Sequence, residues 1–180
     1  ICSAVPCMDS GPLLSAYDAS VTIAGPKAVR NIPAAEWFIA PRKTALQKGE
    51  LVTGVLLPHP KVKHAGCWVK LGRYTGEDLA QVNLLILAMA DGTFRISFGA
   101  VAPVPVRAKT IEKLLNGQTI THSLIEKAKQ LIEEEIKPIT DVRATKEYRM
   151  HMAKVMFERG SNVAISRLNG NGPEYGTSVI

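Results

Sequence analysis

The sequence predicts an α+β fold, in which a three-stranded antiparallel sheet is covered on one face by about three helices. Two observations predict it. Between residues 65 and 101 the apolar residues form three β-prone runs, whereas after residue 108 they recur with a helical period of about 3.6. A group of strands followed by a group of helices is typical of α+β domains and not of alternating α/β folds.

The first third of the chain is predicted to form a small unit of short strands. Its apolar runs predict a hairpin at 21–24 and 28–32, one helical turn at 34–39 and a strand at 51–57. The strand should end at Pro58, since proline donates no hydrogen bond to a ladder. Residues 58–64 combine two prolines, two lysines and two histidines, which indicates a surface link. We therefore predict a first domain at 1–62 and a second at 63–165.

The stretch from residue 65 to 108 carries the strongest signal in the chain. A β-prone run around Lys70 is followed by a polar loop from Arg73 to Asp78. Two longer apolar runs, at 82–90 and 93–101, are joined by Asp91-Gly92, a dipeptide that supplies the positive φ of a tight hairpin turn. Pro103 and Pro105 cannot sit inside a ladder, so the sheet is expected to end there.

Three amphipathic helices are predicted after the hairpin. The first is short and ends near Gly117, and the second is closed by Pro138. The third, from Val142 to Arg159, is expected to start at Asp141 or Thr145 as its cap. The tail at 166–180 has no periodicity, so it is predicted to be mobile.

The third helix is expected to present two faces. Its apolar stripe should cover the sheet, which is a more economical interpretation than a binding groove; the stripe consists of Tyr148, Met152, Val155 and Met156. Its polar face should meet an acidic neighbour, either the run Glu133 to Glu135 or another subunit. The residues of that basic face are Arg143, Lys146, Arg149, Lys154 and Arg159.

Composition excludes several classes of protein. Basic residues give a net charge of +6 but are scattered along the chain, and only 6% of residues are aromatic, so no nucleic-acid partner is predicted. The longest apolar run, Leu84 to Ala90, is far shorter than the roughly 20 residues of a membrane span. Three cysteines favour a reducing cytoplasm. Because it opens at Ile1 without a leader pattern, we expect the chain to be part of a longer polypeptide.

The cysteine and histidine positions do not predict a metal site. Cys2 and Cys7 have the opening spacing of a plant-type iron–sulfur loop, but Ser10 stands where the next thiolate is needed. The four histidines are dispersed, without a spacing typical of metal ligands. We therefore predict no metal site on this chain.

Four strings, in order, resemble the C-terminal part of the FAD-binding subunit of molybdenum hydroxylases, the family of xanthine dehydrogenase and the carbon monoxide dehydrogenase flavoprotein. The strings are ICSAVPCMDSGPLLSAYDA at 1–19, GELVTGVLLP at 49–58, the segment from KLGR to FGAVAPVPVRA at 70–108, and DVRATKEYRMHMAKV at 141–155. The resemblance covers about residues 1 to 160. It implies that 1–62 is the end of an FAD-binding domain and that 63–165 is a domain like the C-terminal domain of the carbon monoxide dehydrogenase flavoprotein.

The resemblance also implies cofactor-binding residues. Asp9 matches a carboxylate that accepts hydrogen bonds from ribityl or ribose hydroxyls, although a helix cap or turn residue is the simpler interpretation from sequence alone. Leu51 and Val52 match a strand that meets the flavin, and would otherwise be buried strand residues. Lys70 matches a position beside the cofactor, with an edge-strand lysine as the alternative. Asp78, and more weakly Glu77 and Arg73, lie on a loop expected near the isoalloxazine ring.

The implied function is that of a redox subunit. FAD would be shared with a preceding segment that carries the glycine-rich phosphate loops, while partner subunits would hold the molybdenum cofactor and the [2Fe-2S] clusters. Electrons would pass from those clusters through FAD to NAD or another acceptor, and no residue of this chain would be catalytic. The alternative is a non-catalytic assembly module that docks to the molybdenum-binding and iron–sulfur subunits. The sequence does not indicate the substrate.

Overall fold

The computed structural model describes residues 1–74 and 78–180. Within these ranges the first elements are α1 (Ser10–Ala16), β1 (Ser20–Ala24), β2 (Val29–Pro33), α2 (Ala34–Trp37), β3 (Phe38–Ala40), β4 (Lys43–Thr44) and β5 (Leu51–Leu56). The following elements are β6 (His64–Leu71), β7 (Val82–Met89), β8 (Phe94–Gly99), β9 (Val106–Arg107), α3 (Lys109–Leu115), α4 (His122–Gln130), α5 (Ile132–Glu135) and α6 (Lys146–Leu168). Among these helices, no stretch is both long and apolar enough to cross a membrane.

The first sheet has the order β2-β1-β5 and is antiparallel. Its central strand alternates in burial, and Val21 and Ile23 pack on Trp37 in a small core of their own. The predicted hairpin around Gly25-Pro26 is confirmed, with Ala24 opposite Val29. The predicted strand at 51–57 is also present, as the outer strand β5.

The second sheet has the order β6-β7-β8-β9. All eight residues of β7 are buried, because α6 packs on one face of the sheet and α1 packs on the other. The predicted hairpin is confirmed: Gly92 has a φ of +82°, and the Asp91 carboxylate accepts the Thr93 N–H at 3.0 Å. The predicted α+β class is therefore confirmed.

The sequence predicted that the sheet ends at Pro103 and Pro105, but the sheet continues beyond them. The two-residue strand β9 pairs with β8, which places Val106 opposite Phe98 and Arg107 opposite Ser97. A proline keeps only its own position out of a ladder, so the residues that follow Pro105 can rejoin the sheet. The predicted three strands therefore gain a short fourth strand at the edge.

The helices differ from prediction mainly at their ends. The second predicted helix is divided into α4 and α5 at Leu131. The third does not begin at Val142, because the Asp141 carboxylate accepts the N–H groups of Arg143 and Ala144 and closes a turn there. Thr145 is the cap instead, accepting the Tyr148 N–H at 3.2 Å. Since α6 continues to Leu168, residues 166–168 are helical, and the mobility of the remaining tail stays a prediction.

The predicted faces of α6 are wrong in one important respect. Arg149, expected on the exposed basic face, is only 3% exposed, while Tyr148 is 45% exposed. The buried stripe is built largely of small residues and includes Met156, as predicted; its members are Ala153, Met156, Phe157, Gly160, Ser161 and Ala164. Small residues let the helix approach closely, since a Cβ on Gly160 would lie 3.0 Å from the Ile86 side chain.

Part of the basic face does meet the acidic run, as predicted. The Lys154 ammonium lies 2.5 Å from the Glu133 carboxylate, and this hydrogen bond lowers the pKa of Glu133. Both groups are partly exposed, so the pair contributes little to stability. The pair links a side chain of α5 to one of α6.

Asp141 should make stability depend on pH. Burial alone would raise the pKa of Asp141, but hydrogen bonds from Arg143 N–H and the Arg149 guanidinium lower it overall. A carboxyl whose folded pKa lies below its unfolded value of about 3.9 stabilises the fold above that pH and loses its contribution as the pH falls through the folded pKa. We expect Asp141→Asn to be less stable than the parent protein at pH 7, and the difference to shrink as the pH falls below the unfolded value and through the folded pKa. Urea unfolding from pH 7 down to pH 2 measures this, and a stability difference that does not change with pH would contradict it.

Candidate functional site

Three of the predicted cofactor-binding residues line one cleft of about 400 Å³. Asp9 immediately precedes α1, Lys70 lies near the end of β6, and Asp78 lies between β6 and β7; Leu79 completes the lining. We call this opening the Lys70 cleft. The fold thus brings together side chains that lie up to 69 residues apart in the sequence.

An ion pair joins two of these candidates, Asp9 and Lys70. The Lys70 Nζ lies 2.6 Å from Asp9 Oδ2, with the lysine side chain 19% exposed and the carboxylate 46% exposed. The interpretation of Asp9 as a helix cap is wrong, since Asp9 occupies the N-cap position but its side chain makes no cap hydrogen bond. Its carboxylate is directed to Lys70 instead.

Asn83, which was not among the residues predicted from the sequence, holds Asp9 in place. The Asn83 side chain is fully buried, and its Nδ2 donates to Met8 O at 3.0 Å and to Asp9 Oδ1 at 3.3 Å. In the ladder Asn83 lies between Lys70 on β6 and Gly99 on β8. An asparagine inside an uninterrupted apolar strand was the available signal, because a buried amide needs hydrogen-bond partners.

Gly99 makes room for this arrangement. A Cβ at Gly99 would lie 2.1 Å from Asn83 Oδ1, so any larger residue would displace the amide. Because Asn83 positions Asp9, which in turn pairs with Lys70, the geometry of the cleft depends on a position that does not line it.

Asp78 fixes the loop rather than facing open solvent. Its carboxylate accepts the N–H groups of Arg73 and Leu79, the latter at 2.8 Å, and its side chain is 5% exposed. The hydrogen bond from Arg73 N–H is the main reason that the pKa of Asp78 is lowered, so the group is ionised at neutral pH. Glu77, the weaker candidate, lies outside the described residues.

Leu51 and Val52 are not brought to this cleft. They lie on β5, where Leu51 is 71% exposed and Val52 is half-buried against the core of the first sheet. The interpretation of Leu51 as a buried strand residue is therefore wrong. Contact of either residue with a flavin stays a prediction.

The C-terminal tail also reaches Lys70. Lys70, Arg73 and Asp78 line an adjoining opening of about 490 Å³ together with Ser178 and Ile180. The tail is anchored by Arg167, whose guanidinium donates to the carbonyls of Gly66, Pro173 and Glu174 and stacks on the Tyr175 ring at 4.4 Å.

The described residues contain one group with the composition of a metal site, formed by His122, Glu126 and Glu158. The Lys129 ammonium already bridges the two carboxylates, donating to Glu126 and, at 2.7 Å, to Glu158. A lysine in this position replaces the charge that a cation would supply, so the cluster is explained as an ion-pair network between α4 and α6.

The Lys70 cleft offers one hydrogen-bond acceptor and one positive charge side by side. Asp9 offers a carboxylate to hydroxyl donors, and Lys70 offers a positive charge that would stabilise electron density on a neighbouring ring. The two side chains are already hydrogen-bonded to each other, so neither is presented to a ligand as a free acid or base.

Two family profiles match the chain. Residues 1–60 match the FAD binding domain in molybdopterin dehydrogenase, and residues 69–163 match the CO dehydrogenase flavoprotein C-terminal domain. The second match alone covers more than half of the chain.

Curated relatives and solved structures agree with these matches. The carbon monoxide dehydrogenase medium chain of Afipia carboxidovorans is 30% identical over 90% of this chain and 57% of its own length. The putative xanthine dehydrogenase FAD-binding subunit of Escherichia coli is 25% identical over 94% of this chain and 60% of its own. Reconstituted CO dehydrogenase from Oligotropha carboxidovorans is 29% identical over 92% of this chain and 59% of its own, with a TM-score of 0.86. The chain therefore spans less than two thirds of the relatives that it matches.

Proposed function

Because the chain belongs to the family of FAD-binding flavoprotein subunits of molybdenum hydroxylases, we propose that it supplies one side of an FAD site in such an enzyme. In the proposed reaction, electrons pass from iron–sulfur clusters through FAD to NAD or another acceptor. FAD supplies the redox chemistry, and the residues of this chain bind and orient it. The proposal divides the chain near residue 62: each sheet has its own core, and α1 of the first part packs on the second sheet.

The observation that carries this proposal is the Asp9–Lys70 pair, held by the buried Asn83. Asp9 would accept hydrogen bonds from cofactor hydroxyls, while Lys70 would lie beside the flavin ring. Asp78 would hold the intervening loop in place through its backbone hydrogen bonds. The diphosphate would be held by glycine-rich loops in a preceding segment of the same FAD domain, since backbone N–H groups of such loops suit anions.

Partners follow from the proposed electron path. The molybdenum cofactor and the [2Fe-2S] clusters would lie on a molybdenum-binding and an iron–sulfur subunit, as the name "medium chain" of the relatives suggests. A reducing cytoplasm suits the enzyme, because Cys2, Cys7 and Cys67 are all free thiols. The alternative of a purely docking module is less well supported, since Arg149 is buried and Lys154 is already paired.

Two substitutions in the whole enzyme test the site. Lys70→Met and Asp9→Asn should each weaken FAD binding by about 1.5–3 kcal/mol, roughly ten- to hundredfold, through loss of a charge-assisted hydrogen bond. Lys70→Met should also lower the flavin midpoint potential, because a positive charge near the ring stabilises its reduced form. Flavin-to-protein ratio and potentiometric titration measure both effects.

Lys63→Met is the matched control, because Lys63 is exposed and lies just before the same strand. It should keep the flavin content and potential of the parent enzyme. If both site variants also keep full flavin content and potential, the cleft is not the flavin site.

A further inference from the structure

A second cavity, of about 430 Å³, adjoins the Lys70 cleft and is not used by the flavin contacts proposed above. Leu79 lines both openings. The walls come from two distant parts of the chain: Val5, Pro6 and Arg42 lie before the second sheet, whereas Ala102 and Ile139 lie after its central strands. Most of the lining surface is apolar, and the volume is in the range of small-molecule sites.

The charged groups of this cavity are mainly positive. Four cationic side chains line it, but Asp141 is its single carboxylate. Asp141 is occupied by Arg143 at 3.0 Å and by Arg149 at 2.7 Å. Among the described residues, neither Arg42 nor Lys137 has a carboxylate within 4.0 Å. Within the described ranges Arg42 therefore has no carboxylate partner, and Lys137 Nζ makes only a 3.4 Å hydrogen bond to the Glu133 carbonyl, so both cations are open to an anion beside the apolar wall.

The backbone around the cavity is held in an uncommon conformation. Arg42 and Ala100, which both line it, have φ values of +60° and +63°. Hydrogen bonds hold each residue in place, from Arg42 N–H to Ala4 O at 2.8 Å and from Ala100 N–H to Pro6 O at 2.9 Å. Left-handed non-glycine residues are concentrated at ligand-binding sites, where the surrounding structure compensates their strain.

One buried polar atom of the lining also lacks a partner. Arg149 is 3% exposed, and in the described part of the chain its Nε makes no hydrogen bond although both Nη atoms do. Buried donors are normally satisfied, so an unpaired one on a residue that lines the cavity favours an additional acceptor there.

We infer that this cavity is a binding site for a small organic carboxylate with a one- or two-ring apolar body. Its acid group would lie at Arg42 and Lys137, and its ring would pack on Val5, Pro6 and Ile139. The site is separate from the Lys70 cleft, so its occupation does not require bound flavin.

Naphthalene-2-carboxylate is a suitable probe, with the neutral naphthalene-2-carboxamide as its matched analogue. Calorimetric titration of the protein should show saturable one-to-one binding of the carboxylate and at least tenfold weaker binding of the amide. Added salt should lower the affinity for the carboxylate. Lys137→Met and Arg42→Asn should each lower the affinity for the carboxylate at least fivefold. Asparagine is chosen at position 42 because it tolerates the left-handed backbone there.

Lys113→Met, an exposed lysine on α3 away from the cavity, should bind like the parent protein. Thermal unfolding of each variant distinguishes loss of binding from loss of fold. The inference is overturned if the acid shows no saturable binding at millimolar concentration, if acid and amide bind equally, or if the folded Lys137→Met and Arg42→Asn proteins bind as the parent does. Flavin content should stay unchanged in all three variants, which separates this result from the flavin assignment.

Discussion

Replacement of Arg149 by methionine is expected to lower the free energy of unfolding by about 3–5 kcal/mol, because it removes a buried charged donor and leaves two buried carbonyls without a partner. The Arg149 guanidinium donates to Gln81 O at 2.6 Å, to Ala100 O at 2.9 Å and to Asp141 at 2.7 Å. Methionine fills similar space but leaves all three acceptors without this donor. Urea denaturation at pH 7 measures the loss.

Lys146→Met on the same helix is the control. Lys146 and its partner Glu147 are 64% and 70% exposed in their side chains, so this change should stay within about 0.5 kcal/mol. Arg149→Lys should recover only part of the stability, because an ammonium cannot reproduce the planar fork of the guanidinium. A loss for Arg149→Met no larger than that for Lys146→Met would show that the three hydrogen bonds contribute nothing.

Arg149 also shows where inference from the sequence stops. Within its own helix it is one of several basic residues, and local periodicity placed it on an exposed face. Its burial is decided by carbonyls 68 and 49 residues away, which no window of the helix contains. By contrast, the β7–β8 hairpin was predicted correctly, because its two apolar runs and the Asp91-Gly92 turn are adjacent in sequence.

The same distinction applies to the candidate site. Asp9 and Lys70 lie 61 residues apart, and nothing in their separate surroundings predicts that they form an ion pair. Resemblance to a family selected them, and the structure supplied the contact. Asn83 was not predicted as a site residue, because a polar residue within an apolar strand does not indicate which residue its side chain will bond. Its partner Asp9 lies 74 residues away.

Replacement of Gly99 by alanine is expected to destabilise the fold by about 3 kcal/mol, near the upper end of the usual range for overpacking a core. The new Cβ would lie 2.1 Å from Asn83 Oδ1 and 2.9 Å from Pro12 Cγ. Asn83 is fully buried, so it cannot rotate away without losing its hydrogen bonds to Met8 and Asp9. Urea denaturation measures the loss of stability.

The same substitution should disturb the cofactor site from a distance. Once Asn83 moves, Asp9 loses its buried hydrogen-bond donor and the Asp9–Lys70 pair loses its fixed geometry. The whole enzyme carrying Gly99→Ala should therefore retain less FAD than the parent enzyme, even at temperatures where it stays folded. Gly54→Ala is the matched control: Gly54 lies on β5, and a Cβ added there would meet no atom within 4 Å, so alanine should preserve both stability and flavin content. If Gly99→Ala lowers stability while flavin affinity matches that of Gly54→Ala, then Asn83 supports the sheet alone, and Asp9 does not depend on it to bind the cofactor.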